Sequence, residues 1–179
     1  MKNIRKFMGI MTISSEQIIE LLVGDEVSNY FNLLLNFVSK YSDIFKDNKN
    51  SSLSGNCFST LNLLEHIDTK IFYNYIDILR ELCELRLNKR LKYFYLHMID
   101  YENGGKMKIH NHIHNEDYSF ILYLNSCNDG ATVFYINGTQ YKCAPEKNKL
   151  VLFSSNTFHS AEYSCGKKIL VGGLKLKYE

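Results

Sequence analysis

The chain has 179 residues, 45% of them hydrophobic and 22% charged, and a net charge of +2. That size and composition suit one globular domain, residues 1–179, able to bury roughly 70% of its unfolded surface. The near-neutral charge argues against duplex nucleic acid or a membrane surface as partner, and no apolar run reaches the ~18 residues of a membrane span.

From the N-terminus, "MKNIRKFMGIMTISSEQ" joins basic residues to a short apolar patch with no small-residue cleavage site, so a ragged start is expected and not a signal peptide. "SSEQIIELL", with Ser14 or Ser15 as N-cap, predicts a first helix, and "VSNYFNLLLNFVSKYSDIF" continues at helical spacing. "KDNKNSSLSGN" is a loop by composition. "TKIFYNYIDILRELCELRLNKR" then places Phe72, Ile76, Leu79 and Cys83 on one stripe, which predicts a core helix. Residues 1–90 are therefore expected to be a mostly helical support.

The texture changes at about residue 91. "KYFYLHMIDY", "YSFILYLN", "ATVFYING", "TQYKCA", "NKLVLFSS" and "KKILVGGLKLKY" are short aromatic and β-branched runs separated by Gly, Asn, Asp and Ser. They predict an antiparallel barrel or sandwich, so the fold class is mainly β with N-terminal helices (α+β), a jelly roll over 91–179. No Gly-rich phosphate loop follows a strand, which argues against a nucleotide-binding α/β fold. The five cysteines (Cys57, Cys83, Cys127, Cys143, Cys165) are scattered and odd in number, fitting reduced thiols in a cytoplasmic protein. The abundance of Asn, Lys and Ile fits an AT-rich genome, viral or parasitic.

"KIHNHIHNEDYSFILYLN" spends three of the chain's six histidines at alternate positions. On a strand, residues two apart share a face, so His110, His112 and His114 would share one, and an i, i+2 pair of imidazoles can grip one metal ion. His159 in "FSSNTFHSAEY", placed at the end of the apolar strand Leu150–Phe153, is the candidate third ligand. The competing reading is a set of surface histidines in a polar loop.

Taken in order, Tyr101, Gly104-Gly105, His110-x-His112, Tyr123-Leu124-Asn125, Asp129-Gly130-Ala131-Thr132-Val133-Phe134, Pro145, His159 and Lys168 make residues 91–179 resemble the Fe(II)/2-oxoglutarate-dependent dioxygenases, in particular their prolyl-hydroxylase-like branch. The resemblance implies Fe(II), 2-oxoglutarate and O2 as cofactors and co-substrate, with His110 and His159 as iron ligands. It also implies that Lys168 pairs with the far carboxylate of 2-oxoglutarate, that Tyr123 bonds to the same group, and that Tyr101 belongs to the cofactor site. The expected reaction is hydroxylation of an unidentified substrate, a protein side chain or a small molecule; oligomeric state is not legible.

The family's aspartate slot holds His112. Three ligand sets stay open: His110, His112 and His159; a register shifted to His112 and His114; or His114 and Glu116 acting as H-x-E. Three histidines are also a zinc arrangement, so iron and zinc both remain possible. Because His112 fills the slot, halogenation is not expected. A rival class is the cupin, since "GGKMKIHNHIHNE" offers Gly104, His110, His112 and Glu116, with His159 as fourth ligand. Against it, Tyr123 replaces an expected glycine, Pro145 is followed by Glu146 and Lys147, and Lys168 goes unexplained. A non-catalytic jelly roll with a degenerate site is the third class.

Overall fold

The computed structural model of the chain describes residues 8–15, 17–40, 46–47, 52–65, 72–102 and 104–178. The first seven residues of the expected ragged start, the far end of the first helical run (41–45), the middle of the polar loop (48–51), the start of the second helical run (69–71) and Asn103 beside the Gly-Gly turn lie outside these.

The element order is β1 (Met8–Ser15), β2 (Ile18–Val23), α1 (Asp25–Lys40), β3 (Lys46–Asp47), β4 (Leu53–Gly55), β5 (Phe58–Thr60), α2 (Tyr73–Leu87), β6 (Leu91–Asp100), β7 (Gly105–His110), β8 (Tyr118–Tyr123), β9 (Thr132–Ile136), β10 (Thr139–Cys143), β11 (Lys149–Ser154), β12 (Phe158–Ser164) and β13 (Lys168–Leu176). They form an eight-stranded sheet, β1-β2-β11-β8-β13-β6-β5-β3, and a five-stranded one, β10-β9-β12-β7-β4. The architecture is the expected jelly roll.

The period of two along each strand divides the apolar residues between two cores. Phe120, Leu122, Leu150, Leu152 and Leu170 turn toward the helices and meet Leu34, Ile76, Leu79 and Cys83. Their neighbours Ile121, Tyr123, Val151, Phe153 and Ile169 turn the other way and meet Phe134 and Cys143 of the five-stranded sheet. The stripe Phe72, Ile76, Leu79 and Cys83 is buried as expected. Helix α2 ends where Asn88 takes the left-handed conformation (φ 52°) and its N–H reaches back to Glu84 O.

One expected helix is a hairpin. Ser14, Ser15 and the run after them lie in β1 and β2, which pair antiparallel. Ile18-Ile19-Glu20-Leu21-Leu22-Val23 is apolar on both faces, a pattern shared by buried helices and buried strands. Its register with Lys149–Phe153 decides the matter. Ile18 enters the core between the sheets while Leu21 and Val23 enter the helix-side core. The described part of residues 1–90 is thus not mostly helical: it contributes five strands beside the two α-helices. His159 likewise belongs to its own strand, β12, and not to the end of Leu150–Phe153. All five cysteines are unpaired. Among the described residues no helix is long and apolar enough to cross a membrane.

Candidate metal centre

Strands β7 and β12 run antiparallel with His110 directly opposite His159. Both rings point between the sheets, their centroids 4.3 Å apart. Phe153 packs edge-on against His159 at 4.8 Å, so the ring is held in a hydrophobic slot. β7 stops at His110, so strand parity does not carry on to His112 and His114. His112 instead reaches the centre from the following loop, anchored by its own N–H to Ser155 O (2.9 Å). The chain then closes a turn in which Asn115 N–H and Glu116 N–H both donate to His112 O. His112 stands 4.9 Å from His110 and 5.3 Å from His159, ring to ring.

The available ligand atoms of His110, His112 and His159 all lie within 4.8 Å of one another. The structure brings these three together and leaves out the two alternates. His114 is exposed in the turn. Glu116 is buried just behind His112, with Oε1 3.8 Å from His112 Nδ1. That oxygen already accepts from Tyr95 (2.8 Å) and Ser119 (2.7 Å).

The electrostatics suit metal ligation. His110 Nδ1 faces Lys108 O at 2.9 Å and His159 Nδ1 faces Thr157 O at 3.1 Å. A proton on each Nδ1 leaves Nε2 as the free donor, the usual way outer groups orient a ligating imidazole. Burial lowers His110; burial and then the neighbouring His110 bring His112 to about 4 and His159 to about 3. All three are therefore neutral at pH 7, with lone pairs to give. Burial pushes Glu116 the other way, to about 7, against the hydrogen bonds from Ser119 and Tyr95.

The histidines line a cavity of about 300 Å³ between the sheets. Tyr95, His97 and Asn115 share that lining with Tyr101, Thr132 and Ile169. Tyr101 is fully buried and its hydroxyl has no hydrogen-bond partner. Tyr123, also fully buried, donates to Thr132 Oγ1 at 2.7 Å, which leaves the threonine proton free for another acceptor.

Lys168 does not join this group. It lies opposite Asp100 in the β6–β13 register, and its ammonium pairs with Asp100 (3.2 Å) and Glu102 (3.4 Å). By parity it shares a side with Leu170, toward the helices. The lysine one residue earlier, just before β13, packs instead on Tyr101, a residue of the cavity wall. Lys167 is wholly buried, donates to Gly130 O at 2.6 Å, and stands 4.4 Å over the Tyr101 ring. Gly130, at φ +71°, makes this possible: a Cβ there would fall 2.4 Å from Ser164 Cβ. Burial brings the Lys167 ammonium down to about 8. Counting from His159 picks out Lys168, while the wholly buried ammonium beside the Tyr101 ring belongs to Lys167.

A buried cation, an orphaned phenol and a threonine hydroxyl thus gather near the cavity wall formed by Tyr101 and Thr132, alongside a neutral three-imidazole cluster. That donor set fits a divalent metal with a small dicarboxylate beside it.

A sequence model described as the 2OG-Fe(II) oxygenase superfamily matches residues 94–173. No curated protein matches the chain in sequence. Among solved structures, a prolyl-4-hydroxylase of Pseudomonas putida superposes with a TM-score of 0.70 at 14% identity, covering 92% of this chain and 95% of its own. The viral collagen prolyl hydroxylase of Paramecium Bursaria Chlorella virus-1, in its 2OG complex, gives 0.62 at 16%, covering 89% and 96%. The epimerase SnoN, in complex with Fe3+, alpha ketoglutarate and nogalamycin RO, gives 0.71 at 9%, covering 89% and 78%.

Proposed function

We propose that the chain, whose residues 94–173 match the 2OG-Fe(II) oxygenase superfamily model, is an oxygenase of that type that hydroxylates a protein side chain or a small molecule, with the iron held by His110, His112 and His159. An enzyme of that family type uses Fe(II), 2-oxoglutarate and O2. The observation that carries the residue assignment is the convergence of three imidazoles, two of them tied through Nδ1 to backbone carbonyls. Bound Fe(II) and 2-oxoglutarate supply O2 activation, coupling decarboxylation of the oxo acid to succinate and CO2 with oxygen insertion into a C–H bond.

The chain's own residues do the rest. The three histidines offer uncharged donors and leave the other coordination positions open. Lys167 neutralises the far carboxylate, whose burial would otherwise be costly. The Tyr101 hydroxyl, free of any other partner, donates to the same group, and Tyr123 fixes the Thr132 hydroxyl to do likewise. Phe153, Ile169 and Val171 line the cavity with apolar surface and exclude water. Tyr95, His97 and Asn115 supply the polar contacts for a substrate.

Anaerobic titration of metal-stripped protein with Fe(II) and then 2-oxoglutarate tests this reading. The expected result is the weak visible charge-transfer band of a 2-oxo acid chelated to ferrous iron. Metal uptake with no band on adding the oxo acid overturns the cofactor assignment and favours a zinc or cupin-type centre.

A further inference from the structure

The ligand cluster contains no carboxylate, yet a carboxylate has been built directly behind one member of it. His110 and His159 point Nδ1 at main-chain carbonyls; His112 alone points Nδ1 at an acidic side chain, Glu116. The turn that seats Glu116 is closed by its own N–H to His112 O, so the two residues are placed together by four positions of chain. Glu116 is 5% exposed. Tyr95 and Ser119 hold Oε1, while Oε2 has no partner.

The opposite strand leaves room for it. A Cβ on Gly173 would stand 2.5 Å from Glu116 Oε2 and 2.5 Å from Tyr95 Cε1. Gly173 is not in a left-handed conformation, so the absent side chain serves space and not backbone geometry. A buried acid with one oxygen held by two hydroxyls and the other left open is an expensive arrangement for a structural residue.

Resting on the three-histidine reading above, we infer that Glu116 is a positioning residue: its Oε1, facing His112 Nδ1 at 3.8 Å, biases the ring electrostatically toward presenting Nε2 and, when ionised, supplies, one step back from the metal, the negative charge that the ligands themselves lack. Such outer carboxylates raise the donor strength of a ligating imidazole and commonly change metal affinity by about 10- to 100-fold.

The test is spectrophotometric titration of the full chain with Co(II) for wild type, Glu116→Gln, His112→Ala and the double variant. Gln keeps an oxygen for Tyr95 and Ser119 to donate to, removes the charge, and turns the unpartnered second oxygen into an NH2 of nearly the same size. Glu116→Gln should weaken Co(II) about 10- to 100-fold and shift its visible d–d bands, and should add nothing in the His112→Ala background. Wild-type affinity and bands in Glu116→Gln would overturn the inference while leaving the metal centre standing. An equal loss with and without His112 would overturn it too, by making Glu116 structural. If wild type takes up no Co(II), the three-histidine reading fails and this inference with it. Should Glu116→Gln not fold, Tyr95→Phe loosens the carboxylate without removing it; a shift in the Co(II) bands supports the role, and unchanged bands refute it.

Discussion

Lys167→Met removes the buried ammonium and keeps most of the side chain's length and apolar bulk. Holding that charge in the fold is unfavourable: the drop from 10.5 to about 8, caused by burial, corresponds to roughly 3 kcal/mol against the protonated form. The hydrogen bond to Gly130 O and the contact with the Tyr101 ring, about 1 kcal/mol each, return part of this. The apo variant should therefore unfold at the same temperature as wild type or higher. Its affinity for 2-oxoglutarate should fall, because the far carboxylate loses a buried partner worth about 3 kcal/mol, roughly 150-fold in Kd. Lys168→Ala is the control: it leaves the buried Asp100 carboxylate without its ammonium and should cost stability, about 3 kcal/mol, while its affinity for 2-oxoglutarate should match wild type. The assay is the anaerobic titration with Fe(II) present, scored by the visible band, together with calorimetric melting of each apo protein. A Lys167→Met protein that melts earlier yet binds 2-oxoglutarate normally would refute the reasoning, as would loss of binding confined to Lys168→Ala.

The same ammonium gives a pH signature. Between pH about 8 and 10.5 the unfolded chain holds the Lys167 proton more tightly than the folded one, so this group makes stability rise with pH there, while 2-oxoglutarate affinity should fall about tenfold per unit above pH 8; affinity flat to pH 10 would exclude Lys167 as the anion's partner. His159→Ala should weaken Co(II) binding more than about 100-fold, whereas His114→Ala, at an exposed turn position, should leave it unchanged. Leu79→Ala opens a hole in the helix-side core, where Leu79 is fully buried, and should cost about 3 kcal/mol, a drop of roughly 9 °C in melting temperature; near-neutral melting would mean that α2 packs loosely on the sheet.

The β half of the fold and the clustering of His110, His112 and His159 can be read in the sequence because alternating aromatic runs and a histidine repeat are local signals. What was not legible depended on partners distant in the chain. Ile18–Val23 carries a helix-like start and an apolar run, and its pairing with Lys149–Phe153, more than 120 positions on, makes it a strand. His112 lies in the same place that strand parity suggests but arrives by a loop, since β7 ends two residues earlier. Spacing from His159 counts residues and picks out Lys168, whereas which of two neighbouring lysines is buried beside Tyr101 depends on how the chain enters β13. Glu116 stood among the alternates as a ligand; its burial against Tyr95, Ser119 and Gly173 could not be seen without the sheet that brings those residues together.

The β2–β11 pairing has a consequence for handling the protein. β2 covers one edge of β11, and β8 covers the other. Trimming the chain to the β-rich residues 91–179 would keep every histidine of the centre but strip β2 away. "KLVLFS", six residues with four consecutive buried apolar side chains, would then become an open edge, a ready template for strand-to-strand association between molecules. The N-terminal hairpin therefore also acts as a guard against self-assembly, and a shortened version chosen by family resemblance alone would be the insoluble one.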